Sequence, residues 1–321
     1  MLTPIEINNN FEWVDVQDET DAEHRRLIQS YKLTEEMYGY ATDPSERARI
    51  EFDKEAGISL MIFNVITDVT DDSAEAATAP VGFLFKGKRV YTFTSGDTNY
   101  VHNLVINSNS TLKLPPIEQQ QPIDAILGLM YKLTTTYLDK INKIDRQRAE
   151  IQHSLKTNPE HSAINDLMDL ETSLVYYLTA LKTNTDMLKD LQRTPVVPVN
   201  ADQQEHITDI LVESQQGLEM AQMASDVVER VSNAYSNLID NNLNNTMKFL
   251  TAYSVIMTVP TIVSGFFGEN VALPFEHNPY GWQITILIMI FLGVIVYLIL
   301  RHYHFLTARK WNYSKVAVLR N

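Results

Sequence analysis

Two apolar segments near the C-terminus constrain this chain more than any other feature. Residues 247–267 contain one charged residue, Lys248, close to their start, and residues 282–300 contain none. Each segment has about 20 residues, enough for a helix to cross roughly 30 Å of hydrocarbon. Two buried core helices are the alternative, but residues 284–300 lack the polar face that a soluble helix turns to water. The sequence therefore predicts a two-helix transmembrane hairpin.

The charges that flank these segments predict their orientation. The connecting loop, residues 268–281, contains no Lys or Arg, whereas the tail after the second segment is basic and contains no acid. By the positive-inside rule both termini are expected in the cytoplasm and the loop outside, in a multi-pass protein of the cell (plasma) membrane. The first fifteen residues have neither a basic nor an apolar leader, so no signal peptide is expected. The basic residues of the tail are Arg301, Arg309, Lys310, Lys315 and Arg320.

The composition excludes several classes of protein. A formal net charge of −14 argues against nucleic acid as a partner, because phosphate binding needs clustered Lys and Arg, and it suits cations better. The chain has no cysteine, which excludes disulfides, thiolate metal sites and thiol catalysis. It has no P-loop, no glycine-rich dinucleotide motif and no His-Glu-x-x-His pattern. We therefore expect neither an enzyme nor a catalytic cofactor, and no transport driven by ATP.

Residues 1–121 have the pattern of a cytoplasmic α+β domain, a sheet packed with helices. Alternating residues predict a strand at 11–16, and an apolar run predicts a buried strand at 58–65. Strands are also expected at 80–85 and 89–93, joined by the three-residue loop Lys86-Gly87-Lys88. Between the first two strands, residues 19–40 read as one helix.

Residues 122–246 change to the pattern of long helices. Apolar residues at three- and four-residue spacing predict a helix at 123–156 and a second one after Pro159. A third helix is expected to begin at Asn200, with Gln203 as its capping partner. No proline occurs between residues 199 and 259, so this helix is expected to form a stalk that continues into the membrane. The chain then divides into a first span at 247–267, an outer loop at 268–281, a second span at 282–300 and a basic tail at 301–321.

A seam of polar or small residues follows the first span. Polar residues inside a membrane helix normally face the bundle interior or a water-filled path. Helix packing is the alternative, because small residues allow close approach and hydroxyls bond to their own backbone. One helix cannot enclose a pore, so the pore interpretation predicts a homo-oligomer with cyclic symmetry. Steps of four and three residues from Asp240 give Asn244, Met247, Thr251, Ser254, Thr258, Thr261, Gly265 and Gly268.

The sequence around this seam resembles the CorA family of divalent-cation channels. The matching residues are 244–251 (Asn-Asn-Thr-Met-Lys-Phe-Leu-Thr), Pro260-Thr261 and 265–270 (Gly-Phe-Phe-Gly-Glu-Asn). In that family the first span ends in a Tyr/Phe-Gly-Met-Asn signature. The resemblance implies a funnel-shaped homopentamer that takes up Mg²⁺ down its electrochemical gradient. Further copies of the chain, the lipid bilayer and divalent cations are then the expected partners.

The resemblance also implies roles for individual residues. Asn270 would form the ring that receives the hydrated ion at the outer mouth, beside Gly268 and Glu269. An entrance of neutral oxygens suits Mg²⁺, because this ion gives up its water reluctantly. Met247 and Leu250 would form an apolar gate near the cytoplasmic end, with ordinary helix packing as the alternative. The pore face would comprise Thr261, Thr258, Ser254, Met247 and Asn244.

Glu269 departs from the family pattern, which usually has Met at this position. A ring of carboxylates here would concentrate cations at the mouth, whereas a side chain pointing sideways would be an incidental loop acid. The substitution leaves the choice of ion open between Mg²⁺ and Zn²⁺ or another transition metal such as Co²⁺ or Ni²⁺. A non-conducting, membrane-anchored sensor is the alternative from another class of protein.

The family also implies a regulatory Mg²⁺ site between neighbouring cytoplasmic domains. Asp202 and Asp209 lie near the corresponding part of the third helix, and either one is the candidate ligand. Glu35 and Glu36 are possible partners across the interface. The alternative is that these acids are merely exposed, as acids on soluble helices commonly are.

Overall fold

A computed structural model describes residues 2–8, 11–67, 77–106, 121–157, 162–194, 198–269, 274, 279–303 and 305. The chain divides into two compact units, Met1–Asn233 and Ala234–Asn321. The first contains a sheet and helices, and the second contains apolar helical segments.

The described strands of the first unit form one six-stranded sheet in the order β1-β2-β6-β5-β4-β3. Neighbouring strands are antiparallel except β2 and β6, which run parallel with Trp13 opposite Val90. The four predicted strands are confirmed, whereas β1 and β3 were not predicted. The strands are β1 (Leu2–Asn8), β2 (Phe11–Gln17), β3 (Arg49–Asp53), β4 (Ile58–Ile66), β5 (Thr78–Lys86) and β6 (Arg89–Thr94).

The prediction of one helix across residues 19–40 is wrong. Two helices occupy this region, α1 (Asp21–Gln29) and α2 (Glu35–Thr42). Lys32 adopts a left-handed backbone conformation with φ of 57°, which a right-handed helix does not accommodate. The Thr34 hydroxyl then accepts a hydrogen bond from the backbone N–H of Met37 and caps the start of α2.

The turn between β5 and β6 is shorter than predicted. Lys86 pairs with Arg89, so the loop consists of two residues, Gly87 and Lys88, rather than three. Gly87 has φ of 60°, a conformation that two-residue hairpin turns require and that glycine adopts without strain. A short helix that was not predicted, α3 (Tyr100–Ile106), follows β6.

The sheet is buried on both faces, which explains its nearly continuous apolar strands. Val14 and Leu60 belong to a core cluster on the face covered by α1 and α2. Their neighbours Trp13 and Met61 belong to the cluster on the opposite face, which is covered by the long helices. Because successive side chains of a strand point to opposite faces, both sets of positions must be apolar.

Three long helices follow the sheet, and their predicted starts and lengths are largely confirmed. The capping pair is present, since the Gln203 N–H donates to Asn200 Oδ1 over 2.8 Å and the Asn200 N–H donates to Gln203 Oε1 over 2.9 Å. The last of these helices runs without a break for 67 residues, which is roughly 100 Å at 1.5 Å per residue. The helices are α4 (Pro122–Thr157), α5 (Ser162–Arg193) and α6 (Ala201–Phe267).

The second unit contains the end of α6 and the apolar helix α7 (Gly281–His302). Among the described residues, α6 and α7 are the helices long and apolar enough to cross a membrane. In α7, all of whose residues are described, no side chain is buried. A helix that is apolar all round and has no fully buried side chain within its own chain has lipid or other chains as its natural surroundings.

Candidate ion pathway

One stripe of α6 is covered within a single chain. Ala252 and Val263 are buried, with 1% and 6% of their surfaces exposed. Ile256, Val259 and Phe267 are half-buried and continue the stripe at steps of four and three residues. The other long helix of this unit is α7, so we take the covered stripe as the side on which the hairpin closes.

The predicted polar seam lies on the opposite side of α6. At about 100° per residue, the centre of the seam and the centre of the covered stripe are roughly 160° apart around the helix axis. Within one chain the seam is therefore turned away from the hairpin partner. All of its members are exposed, namely Asn244, Met247, Thr251, Ser254, Thr258, Thr261, Gly265 and Gly268.

Large exposed apolar side chains border the seam on both sides. An exposed apolar surface of this extent marks contact with lipid or with other protein chains. With apolar contacts on both flanks and α7 behind, the seam is a continuous polar surface that can face an interior. The sequence analysis identified the seam but not these flanking apolar residues, although the same helical spacing could have identified them. They are Tyr253 and Met257 on one side and Val255, Ile262 and Phe266 on the other.

The hydroxyl groups of the seam present oxygen rather than hydrogen to their surroundings. Each hydroxyl donates its hydrogen to a carbonyl of its own helix, which leaves the lone pairs of the oxygen as acceptors. The seam therefore forms an uncharged column of hydrogen-bond acceptors. The bonds run from Thr251 to Met247 (2.8 Å), Ser254 to Leu250 (2.9 Å), Thr258 to Ser254 (2.8 Å) and Thr261 to Met257 (3.1 Å).

The outer end of the seam is a tight turn. A Cβ atom at Gly268 would lie 2.9 Å from the carbonyl oxygen of Ser264, so this position accepts only glycine without a shift of the backbone. Glu269 follows it and is exposed. Asn270, the predicted entrance residue, lies outside the described residues. The structure thus brings Gly268 and Glu269 to the end of the seam.

The two predicted gate residues are exposed near the other end of the apolar part of α6. Met247 is 54% exposed and Leu250 is 55% exposed. They are about 60° apart around the helix, so Met247 lies on the seam and Leu250 at its border. Both can meet other copies of the chain, and their role as a gate stays a prediction.

The predicted regulatory acids are exposed in the first unit. Asp202 and Asp209 lie on one face of α6, and Asp209 borders a groove of about 480 Å³ between α4 and α6. Glu35 contacts His24 over 3.3 Å, and Glu36 accepts a hydrogen bond from the Tyr40 hydroxyl. Within the described ranges, no three His, Asp or Glu side chains are placed to hold a metal ion.

A sheet domain, long helices and two terminal apolar helices, one of them with a polar face, are consistent with a helical membrane protein. The chain belongs to the CorA-like Mg²⁺ transporter family, whose model matches residues 8–302. Members of this family are membrane channels and transporters rather than enzymes. The predicted family and class are therefore confirmed.

Relatives and solved structures agree with this assignment. The cobalt/magnesium transport protein CorA of Methanocaldococcus jannaschii is 22% identical over 295 residues, which is 90% of each chain. The complete structure of the CorA magnesium transporter from the same organism superposes with a TM-score of 0.78 at 21% identity and covers 92% of each chain. The full-length CmaX protein gives a TM-score of 0.71 at 15% identity, over 93% of this chain and 90% of that one. The predicted fold class is confirmed.

Proposed function

We propose that this chain is one subunit of a cyclic homo-oligomer, a pentamer by its resemblance to the family, that conducts hydrated Mg²⁺. The observation that carries the proposal is the exposed polar seam of α6 opposite the covered stripe. Copies arranged around an axis would turn their seams inward and bury their apolar flanks against one another. In this arrangement α7 forms the outer, lipid-facing ring.

The chemistry of the seam suits an ion that keeps its water. Mg²⁺ holds its water tightly, and the hydrogens of that shell point outward. A wall that meets them must accept hydrogen bonds, and the hydroxyl oxygens of Ser254, Thr258 and Thr261 have already donated their own hydrogens. Anions would find no donor on these side chains. The seam is thus matched to hydrated cations as a class.

At the outer mouth, Asn270 would supply a ring of neutral amide oxygens beside Gly268. The Glu269 carboxylates would raise the local concentration of cations before they enter. At the other end Asn244 would contribute amide oxygens, and Met247 with Leu250 would close the pathway by excluding water. The flux would run inward, since an inside-negative potential contributes about 4.6 kcal/mol per 100 mV for a divalent ion.

The proposed topology has the sheet domain, residues 1–121, and the helical region, residues 122–246, in the cytoplasm with the basic tail 301–321. The spans at 247–267 and 282–300 flank an outer loop at 268–281. Regulation would use Mg²⁺ bound by Asp202 or Asp209 and by acids of a neighbouring subunit. The topology follows from the flanking charges, and the regulatory site follows from the resemblance to the family.

Co²⁺ is the second candidate ion. The relative from M. jannaschii carries both cobalt and magnesium in its name. Glu269 also gives the mouth a carboxylate that can bind transition metals directly, so Zn²⁺ and Ni²⁺ belong to the same test.

The test is ion uptake into proteoliposomes that contain the full-length protein, with an inside-negative potential and Mg²⁺, Co²⁺, Zn²⁺ or Ni²⁺ outside. Asn270→Ala should lower Mg²⁺ flux at least tenfold, whereas Gln283→Ala, which removes an exposed amide at the start of α7, should leave it within twofold. Glu269→Met should weaken apparent affinity and shift preference from Co²⁺ towards Mg²⁺. An intact protein that conducts none of these ions refutes the channel, and flux insensitive to Asn270→Ala refutes the entrance site.

A further inference from the structure

The two ends of the sheet carry opposite charges that neither the seam nor the acids of α6 explain. Five basic residues lie around the end where β5 turns into β6, and we call them the basic patch. Four acidic residues lie around the end where β2, β6 and α2 finish, and we call them the acidic patch. The basic patch comprises Arg26, Lys32, Lys86, Lys88 and Arg89, and the acidic patch comprises Asp18, Glu19, Asp43 and Asp97.

The basic patch converges on the loop between α1 and α2. The guanidinium groups of Arg26 and Arg89 lie over the ring of Tyr31, 5.6 Å and 5.0 Å from its centre. The Lys86 ammonium donates a hydrogen bond to the backbone carbonyl of Lys32. Elements that are distant in the sequence thus bring positive charge to one end of the sheet.

Most of this positive charge has no ion-pair partner among the described residues. Arg89 pairs with Glu12 over 2.6 Å, but within the described ranges no carboxylate lies at ion-pair distance from the other four members. Burial and the repulsion by Lys32 lower the pKa of Lys86, and the attraction of Asp53 does not offset them. Cations left unpaired in this way suit an acidic partner.

The acidic patch is compact and equally lacks cations. Asp18, Glu19 and Asp43 border one pocket together with Ser95, and Asp97 follows two residues later. None of the described residues that border this pocket is Lys, Arg or His. Asp43 and Asp97 are exposed, and neither forms an ion pair with a basic residue that the structure describes. The acidic patch is therefore open to a basic partner.

The two patches cannot meet within one chain. Strand β6 begins at Arg89, in the basic patch, and ends at Thr94, which borders the same pocket as the acids. The strand spans roughly 17 Å at about 3.3 Å per step. At physiological salt, charges more than about 8 Å apart are largely screened. A second copy of the chain, in contrast, offers each patch its complement at close range.

We propose that the basic patch of one subunit contacts the acidic patch of the next, and that this contact repeats around the ring. A contact between two different surfaces is heterologous, and it closes into a ring when the rotation between subunits allows it. The inference rests on the cyclic homo-oligomer proposed above and names a surface through which its subunits recognise one another. It also gives every subunit the same direction around the axis, which a pore lined by equivalent seams requires.

Paired cysteines test this contact in the full-length protein in detergent micelles, because the chain has no cysteine of its own. The test variant is Lys88→Cys with Asp97→Cys, treated with a bis-maleimide too short to join the two patches of one chain. The controls are Lys88→Cys alone and Lys88→Cys with Asp166→Cys, which places the second thiol at an exposed position on α5. Native mass spectrometry of the untreated protein counts the subunits independently.

The test variant should give covalently linked species up to the full ring on a denaturing gel, whereas the controls should give none larger than a dimer. Arg26→Glu within the test variant should lower the yield of the linked ring about fivefold, because it places a like charge opposite the acidic patch. Salt at about 1 M should also lower this yield, since it screens charges beyond about 3 Å.

The outcomes separate this interface from the proposed pore. An intact ring by mass spectrometry with no linked species larger than a dimer would overturn the interface and leave the channel standing. Linked rings that neither Arg26→Glu nor salt reduces would overturn it as well, because charge would then not hold the contact. A protein that is monomeric in micelles would contradict the cyclic oligomer and, with it, this interface.

Discussion

Asn184 connects the long helices to the sheet through two hydrogen bonds, and its replacement tests how much these bonds stabilise the first unit. Strand β3 begins at Arg49, opposite Ile62, so the peptide groups of Asn64 on β4 lie beyond the first residue of this edge strand. The side-chain amide of Asn184, on α5, takes the place of the missing strand. Its Oδ1 accepts from the Asn64 N–H over 2.9 Å, and its Nδ2 donates to the Asn64 carbonyl over 2.8 Å.

Asn184→Leu keeps the approximate size of the side chain and removes both hydrogen bonds. The Asn64 N–H loses its partner, and its carbonyl keeps only the Tyr137 hydroxyl, 3.0 Å away. Asn184 is fully buried, so water does not replace the amide. A buried backbone group left without a hydrogen bond costs about 1–3 kcal/mol. The complete loss at the Asn64 N–H and the partial loss at its carbonyl together give about 2–4 kcal/mol. For a unit of this size the melting temperature should fall by about 5–15 °C.

Thermal unfolding of the full-length protein, followed by circular dichroism, measures this loss. Gln192→Leu on the same helix removes an exposed hydrogen bond to Thr208 and should change the melting temperature by less than about 3 °C. If Asn184→Leu changes the melting temperature no more than this control, the Asn184 amide does not stabilise the packing of α5 on the sheet, and the reasoning is refuted.

Two further predictions concern the first unit. The Glu23 carboxylate accepts the backbone N–H groups of Thr20 and Leu2, which lowers its pKa to about 2, so Glu23→Gln should lower the melting temperature at neutral pH. The difference in melting temperature between the variant and the wild type should shrink as the pH falls from about 4.5 towards 2, because protonation removes the stabilisation by the Glu23 carboxylate. A difference that does not change with pH would contradict this prediction. Gly82→Ala should lower the melting temperature by several degrees, because its Cβ would lie 2.9 Å from the Ala41 carbonyl oxygen, and unchanged melting would show that α2 can shift.

Features that depend on local spacing could be predicted from the sequence. The seam from Asn244 to Gly268 follows from helical periodicity, and the Asn200–Gln203 cap follows from residue types three positions apart. The family could be predicted because its signature is contiguous at residues 265–270. These patterns are all carried by residues close together in the chain.

Features that depend on long-range contacts could not be predicted. The split between α1 and α2 rests on the backbone of Lys32, and a lysine gives no signal for a positive φ. Asn184 lies 120 residues from the strand that it completes, and an isolated polar residue in an amphipathic helix has no pattern.

The sequence predicts which face of α6 is polar, but not which of its apolar faces is covered. Periodicity separates the seam from the apolar positions, but it does not tell which apolar side is covered. Burial of Ala252 and Val263 identifies that side, while Tyr253 and Ile262 stay exposed. The tertiary structure is therefore needed to identify the covered side and to show that the seam lies on the opposite side of α6.

The most direct test of the central claim, that the seam lines an ion pathway, is scanning with single cysteines. The chain contains no cysteine, so each introduced thiol is the only one present. Ser254→Cys and Thr258→Cys, on the seam, should lose Mg²⁺ uptake when a water-soluble, positively charged thiol reagent is added to conducting proteoliposomes. Ala252→Cys and Val263→Cys, on the covered stripe, should keep it. Inhibition on the covered stripe, or at none of the seam positions, would contradict the account.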